Sequence, residues 1–132
     1  MTKTSTIWKG KHMFESTHQG NTIKVDGDKK NGHGPKALLL SGLAGCSGID
    51  LVDILEKMRV QFSDLTIDVE AEMTNETPSI FRQINVKYQM KTDPNNEEKV
   101  RKAIDLSLNK YCGVATMLRK NSPIRYELEI LQ

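Results

Sequence analysis

Apolar and polar residues alternate most cleanly over "DLTIDVEAEM" (64–73), where Leu65, Ile67, Val69, Ala71 and Met73 are separated by polar neighbours. A period of two is the signature of a strand with one face in the core. "NETPS" reads as a turn, and "IFRQINVKYQM" (80–90) as the second strand of a hairpin. Its inward set is Ile80, Ile84, Val86, Tyr88 and Met90, with the alternation broken over Phe81–Gln83. "IRYELEI" (124–130) alternates again and predicts a closing strand. At the other end, "TSTIWKGKHMF" (4–14) and "NTIKVD" (21–26) predict two or three short strands, with Ile7, Trp8, Phe14, Ile23 and Val25 as anchors. Gly10 and Gly20 punctuate them as turns.

The period changes after the loop "GDKKNGHGP" (27–35). Pro35 suits the first position of a helix, where a missing N–H costs little. From Ala37 to Met58 the chain carries Leu38, Leu39, Leu40, Leu43, Ala44, Ile49, Leu51, Val52, Ile54 and Leu55, and the first half is apolar nearly all round. A surface helix shows a stripe instead, so this one is predicted to be buried between layers or against a partner chain. Charges begin at Asp50 and continue through Asp53, Glu56, Lys57 and Arg59, where the helix emerges. Asp93-Pro94 opens a second helix with the stripe Val100, Ala103, Ile104, Ser107, Leu108 and Tyr111. Cys112-Gly113 interrupts it, and "VATMLRKN" adds a further turn or two. Strands, buried helix, hairpin, helix and strand together predict an α+β fold with an antiparallel sheet and helices gathered on one side.

At 132 residues the chain has the size of one domain, taken as 1–132, and can build a core without disulfides or metals. Its 19 basic and 17 acidic residues are scattered, with a net charge of +2, and aromatics are only 5%. A nucleic-acid binder would show a basic stripe, often interleaved with aromatics, so that class is disfavoured. The N-terminus has no apolar signal core, and no window approaches ~18 uninterrupted apolar residues. The expectation is a cytoplasmic protein without a membrane partner, its two cysteines resting as thiols.

Those cysteines are the candidate chemistry. On helical spacing Cys46 shares a face with Leu39, Gly42, Leu43, Ile49, Asp50 and Asp53. Gly42, Gly45, Ser47 and Gly48 leave little bulk around the sulfur, which suits either close helix packing or a pocket open to a small substrate. Cys112 stands either at a helix N-terminus, where the dipole lowers a thiol pKa, or as a buried residue before an αL Gly113. His12, His18 and His33 have no metal-like spacing with each other or with the cysteines. There is no phosphate-binding loop or dinucleotide fingerprint, and neither Ser41 nor Ser47 has a histidine nearby.

"GPKALLLSGLAGCSGIDLVDILEKMR", then a hairpin, then "NKYCGVATML" and a closing strand, resembles the OsmC/Ohr family of osmotically inducible and organic hydroperoxide resistance proteins. The resemblance spans essentially the whole chain. It implies an intertwined α+β homodimer with the first cysteine on a long central helix. It also implies a cysteine-based reductase of small organic hydroperoxides, with Cys46 peroxidatic, Cys112 resolving, and an external dithiol as reductant. Neither metal nor organic cofactor is expected, and Leu39, Gly42, Leu43 and Asp50 would form the pocket. The well-studied peroxidases place an arginine in the N-terminal strands and a glutamate after the helix-opening proline. Here no arginine precedes Arg59, and Lys36 follows Pro35. Lys36, Lys9 or Lys11 is therefore the expected thiolate-stabilising cation, acting as a point charge rather than a fork. The alternative is a non-catalytic member of the fold that binds a small apolar or electrophilic ligand.

Overall fold

The computed structural model describes residues 1–131. Strands β1 (Ser5–Gly10), β2 (Met13–His18) and β3 (Asn21–Asp26) form an antiparallel meander in the order β1-β2-β3. Positive φ angles at both Gln19 and Gly20 make the two-residue turn between β2 and β3, the handedness that matches strand twist. Cross-strand neighbours put Trp8, Phe14 and Val25 on one face, with Thr6, Ser16 and Ile23 beside them. The outer members of that face are exposed, Trp8 by 64% and Ile23 by 51%.

Helix α1 (Pro35–Lys57) follows, and the chain divides into two units, Met1–Leu39 and the remainder from Leu40, with α1 spanning the division. In the second unit β4 (Phe62–Met73) pairs antiparallel with β5 (Phe81–Thr92), and β6 (Ile124–Leu131) joins the other edge of β5. The β5–β6 pairing is parallel, so this sheet is mixed rather than antiparallel as the sequence suggests. A parallel neighbour needs a crossover, and the intervening helices supply it. They are a short 3₁₀ turn (Pro94–Asn96) started by the Asp93 side chain, α2 (Glu97–Leu106), a π-turn (Ser107–Tyr111) and α3 (Gly113–Arg119).

One face of β5 supplies Ile84, Val86, Tyr88 and Met90, all fully buried, to a core shared with Leu43, Leu51 and Leu55 of α1 and Val100, Ala103 and Ile104 of α2. Burying each of these large side chains contributes roughly 1.5–3 kcal/mol. Ile80 departs from expectation: it precedes β5 and is 43% exposed, and Phe81 takes the buried place. Tyr111 likewise leaves the α2 stripe, because the π-turn rotates it outward.

Helix α1 buries a narrower strip than its composition predicts. Leu43, Ser47, Leu51 and Leu55, spaced four apart, are its buried residues, while Leu39 and Ile49 stay 50% and 67% exposed. It is long and apolar enough to cross a bilayer, yet that strip lies in the core and Asp50, Asp53, Glu56 and Lys57 interrupt its second half. A Schellman motif ends it: Val60 N–H donates to Leu55 C=O (3.0 Å) and Arg59 N–H to Glu56 C=O (3.0 Å). Arg59 occupies the left-handed position at φ 59°, and Val60 folds back into the core beside Leu55.

Candidate functional site

The i, i+4 spacing of Cys46 and Asp50 puts both on one side of α1. Cys112 reaches them from a different element. The π-turn adds one residue to the helical path, and Cys112 N–H closes it by donating to Ser107 C=O at 2.7 Å. Cys112 then leaves helical geometry (φ −77°, ψ 104°) and becomes the N-cap of α3, its Sγ accepting the Ala115 N–H at 3.3 Å. The donor atoms of Cys46, Asp50 and Cys112 consequently lie within 4.8 Å of one another.

Access differs sharply between the sulfurs. Cys46 is half-buried, whereas Cys112 is 1% exposed. Beneath them runs a hydroxyl chain: Ser47 Oγ lies 2.6 Å from Tyr88 Oη and 2.9 Å from Ser107 Oγ, which donates to Ser47 C=O at 3.0 Å. Both serines and Tyr88 are fully buried. This network fixes α1 against β5 and the π-turn, and so fixes the two cysteine-bearing backbones against each other.

Cys112 is an N-cap, as one of the two sequence readings has it, and Gly113 is helical rather than left-handed. The expected fall in thiol pKa does not follow. Burial pushes the Cys112 thiol up to about 11, aided by the Cys46 thiol and the Asp50 carboxylate, while the Ala115 N–H pulls the other way. A seven-residue helix offers too little dipole to offset desolvation and two acidic neighbours. Asp50 Oδ2 is buried and has no hydrogen-bond partner among the described residues.

The other expected site residues fall as follows. Gly42 is exposed with open space beyond it, Leu39 is half-exposed, and Leu43 is fully buried in the core. Lys36 is exposed in the first turn of α1, ten residues or about 15 Å of helix rise before Cys46. Lys9 on β1 lies 4.0 Å from Glu15, and Lys11 forms a turn at φ 50° whose C=O accepts the Trp8 indole N–H at 2.8 Å. Two thiols and a carboxylate are donors that zinc accepts, but three leave a structural zinc site one short. The sequence places Asp50 in the pocket without a role, Ser47 as a small residue beside the sulfur, and Tyr88 and Ser107 on inward faces, but it gives no sign that the three hydroxyls meet. Only the tertiary fold reveals that three hydroxyls so far apart in sequence meet.

A half-open thiol on a central helix, facing a buried thiol at a helix N-cap, defines a two-cysteine α+β protein with the layout of the OsmC fold. Residues 26–127 match the family model of OsmC-like proteins, and the chain belongs to that family. Protein YhfA of Escherichia coli is 34% identical over 124 residues, covering 93% of this chain and 92% of its own. Among solved structures, a hypothetical protein from Aquifex aeolicus is 26% identical with a TM-score of 0.85, covering 100% of this chain and 98% of its own. The organic hydroperoxide resistance protein OhrB of Bacillus subtilis shares the fold at 17% identity and a TM-score of 0.66, covering 98% of both chains.

Proposed function

We propose that the protein is a cytoplasmic, thiol-dependent reductase of organic hydroperoxides, with Cys46 as the peroxidatic and Cys112 as the resolving residue. The observation that carries this reading is the meeting of the two sulfurs within 4.8 Å, one half-buried and one enclosed. The Cys46 thiolate attacks the distal oxygen of the hydroperoxide, the O–O bond breaks, and the leaving alkoxide takes up the proton that the thiol had given to solvent and departs as the alcohol. Sulfenic acid is left on Cys46. Cys112 displaces its hydroxyl as water to form the disulfide, and an external dithiol restores both thiols by exchange.

The active form in this proposal is a homodimer. Two apolar surfaces support it, each bare in the single chain: the β1–β3 face with Trp8 and Ile23, and the α1 face with Leu39 and Ile49. Lys36, Lys9 and Lys11 are the proposed cations for the Cys46 thiolate. A Lys36→Met variant with an unchanged pH profile of Cys46 alkylation would remove the first.

One observation favours a second reading, a ligand-binding member without turnover. Asp50, an acidic side chain, has a carboxylate oxygen within 4.8 Å of both sulfurs, where a thiolate needs a cation. Reduced protein treated with cumene hydroperoxide, and separately with hydrogen peroxide, decides between them. Loss of both thiols within seconds in wild type, with sulfenic acid trapped in Cys112→Ser, supports the peroxidase. Thiols that survive excess hydroperoxide for many minutes leave the binding reading.

A further inference from the structure

Closing a disulfide between these residues requires a proton to leave a sulfur that water cannot reach. Cys112 is 1% exposed, and its proton has to move as its sulfur attacks Cys46. The groups facing it are few. From α1 they are Cys46 and Asp50, each with a donor atom within 4.8 Å of the Cys112 sulfur; from α3 it is the Ala115 N–H, and the charge of Cys112 is also felt by Tyr88 of β5. Cys46 is the electrophile in this step and cannot be the base. The Tyr88 hydroxyl is held by Ser47 at 2.6 Å and does not ionise near neutral pH. Every histidine of the chain precedes residue 34, none in the unit that carries the cysteines. What remains is Asp50, with Oδ2 buried and free of any partner among the described residues.

The geometry points to Asp50 as the proton carrier of disulfide closure: its carboxylate takes the Cys112 proton and delivers it to the group leaving Cys46. This rests on the two thiols acting as a redox pair, and it assigns Asp50 a chemical role beyond lining the pocket. In the sulfenic-acid step, the S–S bond forms as the S–O bond of Cys46 breaks. The Cys112 proton moves to the Asp50 carboxylate, one oxygen of which lies within 4.8 Å of both sulfurs, and then to the departing hydroxide, which leaves as water. Asp50 returns to its carboxylate form, and no proton is gained or lost overall. The same carboxylate holds the proton on Cys112 until an electrophile stands at Cys46, because a second anion beside it is costly. Resting thiol and rapid closure then come from one residue.

The test contains no peroxide, so its outcome is separate from that of the peroxidase assay. Cys46 of the full chain is capped as a methylthio mixed disulfide, and expulsion of methanethiol by Cys112 is followed by intact mass. That exchange needs the same proton transfer, from Cys112 to the leaving sulfur. Asp50→Asn is expected to slow closure about 10²-fold, the lower range of general acid–base contributions. Its rate should climb roughly tenfold per pH unit, while wild type and Asp50→Glu stay nearly flat between about pH 6 and 9. A purely electrostatic role predicts the reverse, since removing the Asp50 charge eases ionisation of Cys112 and accelerates closure. Asp50→Asn closing as fast as wild type or faster overturns the proposal, as does Asp50→Glu behaving like Asp50→Asn.

Discussion

Ser47 Oγ lies 2.6 Å from Tyr88 Oη, joining the residue after Cys46 to the centre of the buried β5 face. The serine also meets Ser107 Oγ at 2.9 Å, so one hydroxyl ties together three elements that enclose the cysteines. Removing it strands the buried Tyr88 hydroxyl, while Ser107 Oγ keeps its bond to the Ser47 carbonyl. Leaving a buried hydroxyl unsatisfied costs about 1–3 kcal/mol. Ser47→Ala is therefore expected to lower unfolding stability by about 2 kcal/mol, seen as a lower urea midpoint with an unchanged slope. A midpoint equal to wild type would show that the network does not hold α1 in place.

The same contact sets an alkaline limit. Burial pushes the Tyr88 phenol up from 10.0 to about 12, against the opposing Ser47 hydrogen bond. An acid whose pKa is raised by folding keeps its full contribution below its unfolded pKa and loses it as pH rises through the folded value. Tyr88 should therefore make stability fall between about pH 10 and 12, overlapping the fall between about 9 and 11 that the raised Cys112 thiol brings by the same argument. In Tyr88→Phe that part of the fall should vanish, measured as urea midpoint against pH. An identical decline in both proteins would assign the alkaline transition elsewhere.

Cys112, at 1% exposure with its thiol pushed up to about 11, should resist iodoacetamide at neutral pH while the half-buried Cys46 is modified. Peptide mapping of briefly labelled native protein is expected to find the adduct on Cys46 alone. Cys112 should react after unfolding, or as pH approaches 11. Equal labelling of both at neutral pH would contradict an enclosed resolving thiol.

Period-two alternation over 64–73 located β4, and the i, i+3, i+4 stripe located α2, because burial on one face leaves a direct imprint on sequence. The parallel pairing of β6 leaves no such imprint: its alternation is the same whichever way its neighbour runs. Both cysteines were legible as candidates, and the small residues around Cys46 hinted at access. What was not legible is charge and proton handling. The N-cap position of Cys112 suggested an acidic thiol, and only the depth of burial and the approach of Asp50 reverse that. The narrow buried strip of α1 shows the same limit, since composition reports that a helix is apolar but not how much of it the chain itself buries.

Arg59 offers a test of how local geometry limits stability. It fills the left-handed position of the Schellman motif at φ 59°, and its side chain makes no ion pair among those formed by the described residues. Glycine adopts that conformation without the Cβ clash. Arg59→Gly is expected to raise stability by about 0.5–1 kcal/mol, after allowance for the added freedom of the unfolded chain. A loss of stability in urea titration would mean that the arginine is held by contacts with another copy.

The bare side of α1 gives the sharpest prediction about assembly. Ile49 is 67% exposed, and Gly42 and Gly45 have nothing within 4 Å of where a Cβ would stand. Small residues beside an exposed isoleucine suit the close approach of another backbone, and the proposed dimer supplies one. Ile49→Lys adds a charge that costs nothing in an isolated chain but must be desolvated in an interface. The variant is expected to sediment as a monomer at concentrations where wild type is dimeric. Trp8, the one tryptophan of the chain and 64% exposed here, adds a second readout: if dimerisation covers it, emission of the monomeric variant should lie to the red of dimeric wild type. A dimer unaffected by Ile49→Lys would move the interface away from α1. Thiol loss with cumene hydroperoxide, measured on the same monomer, then reports whether Cys46 needs the second chain to react.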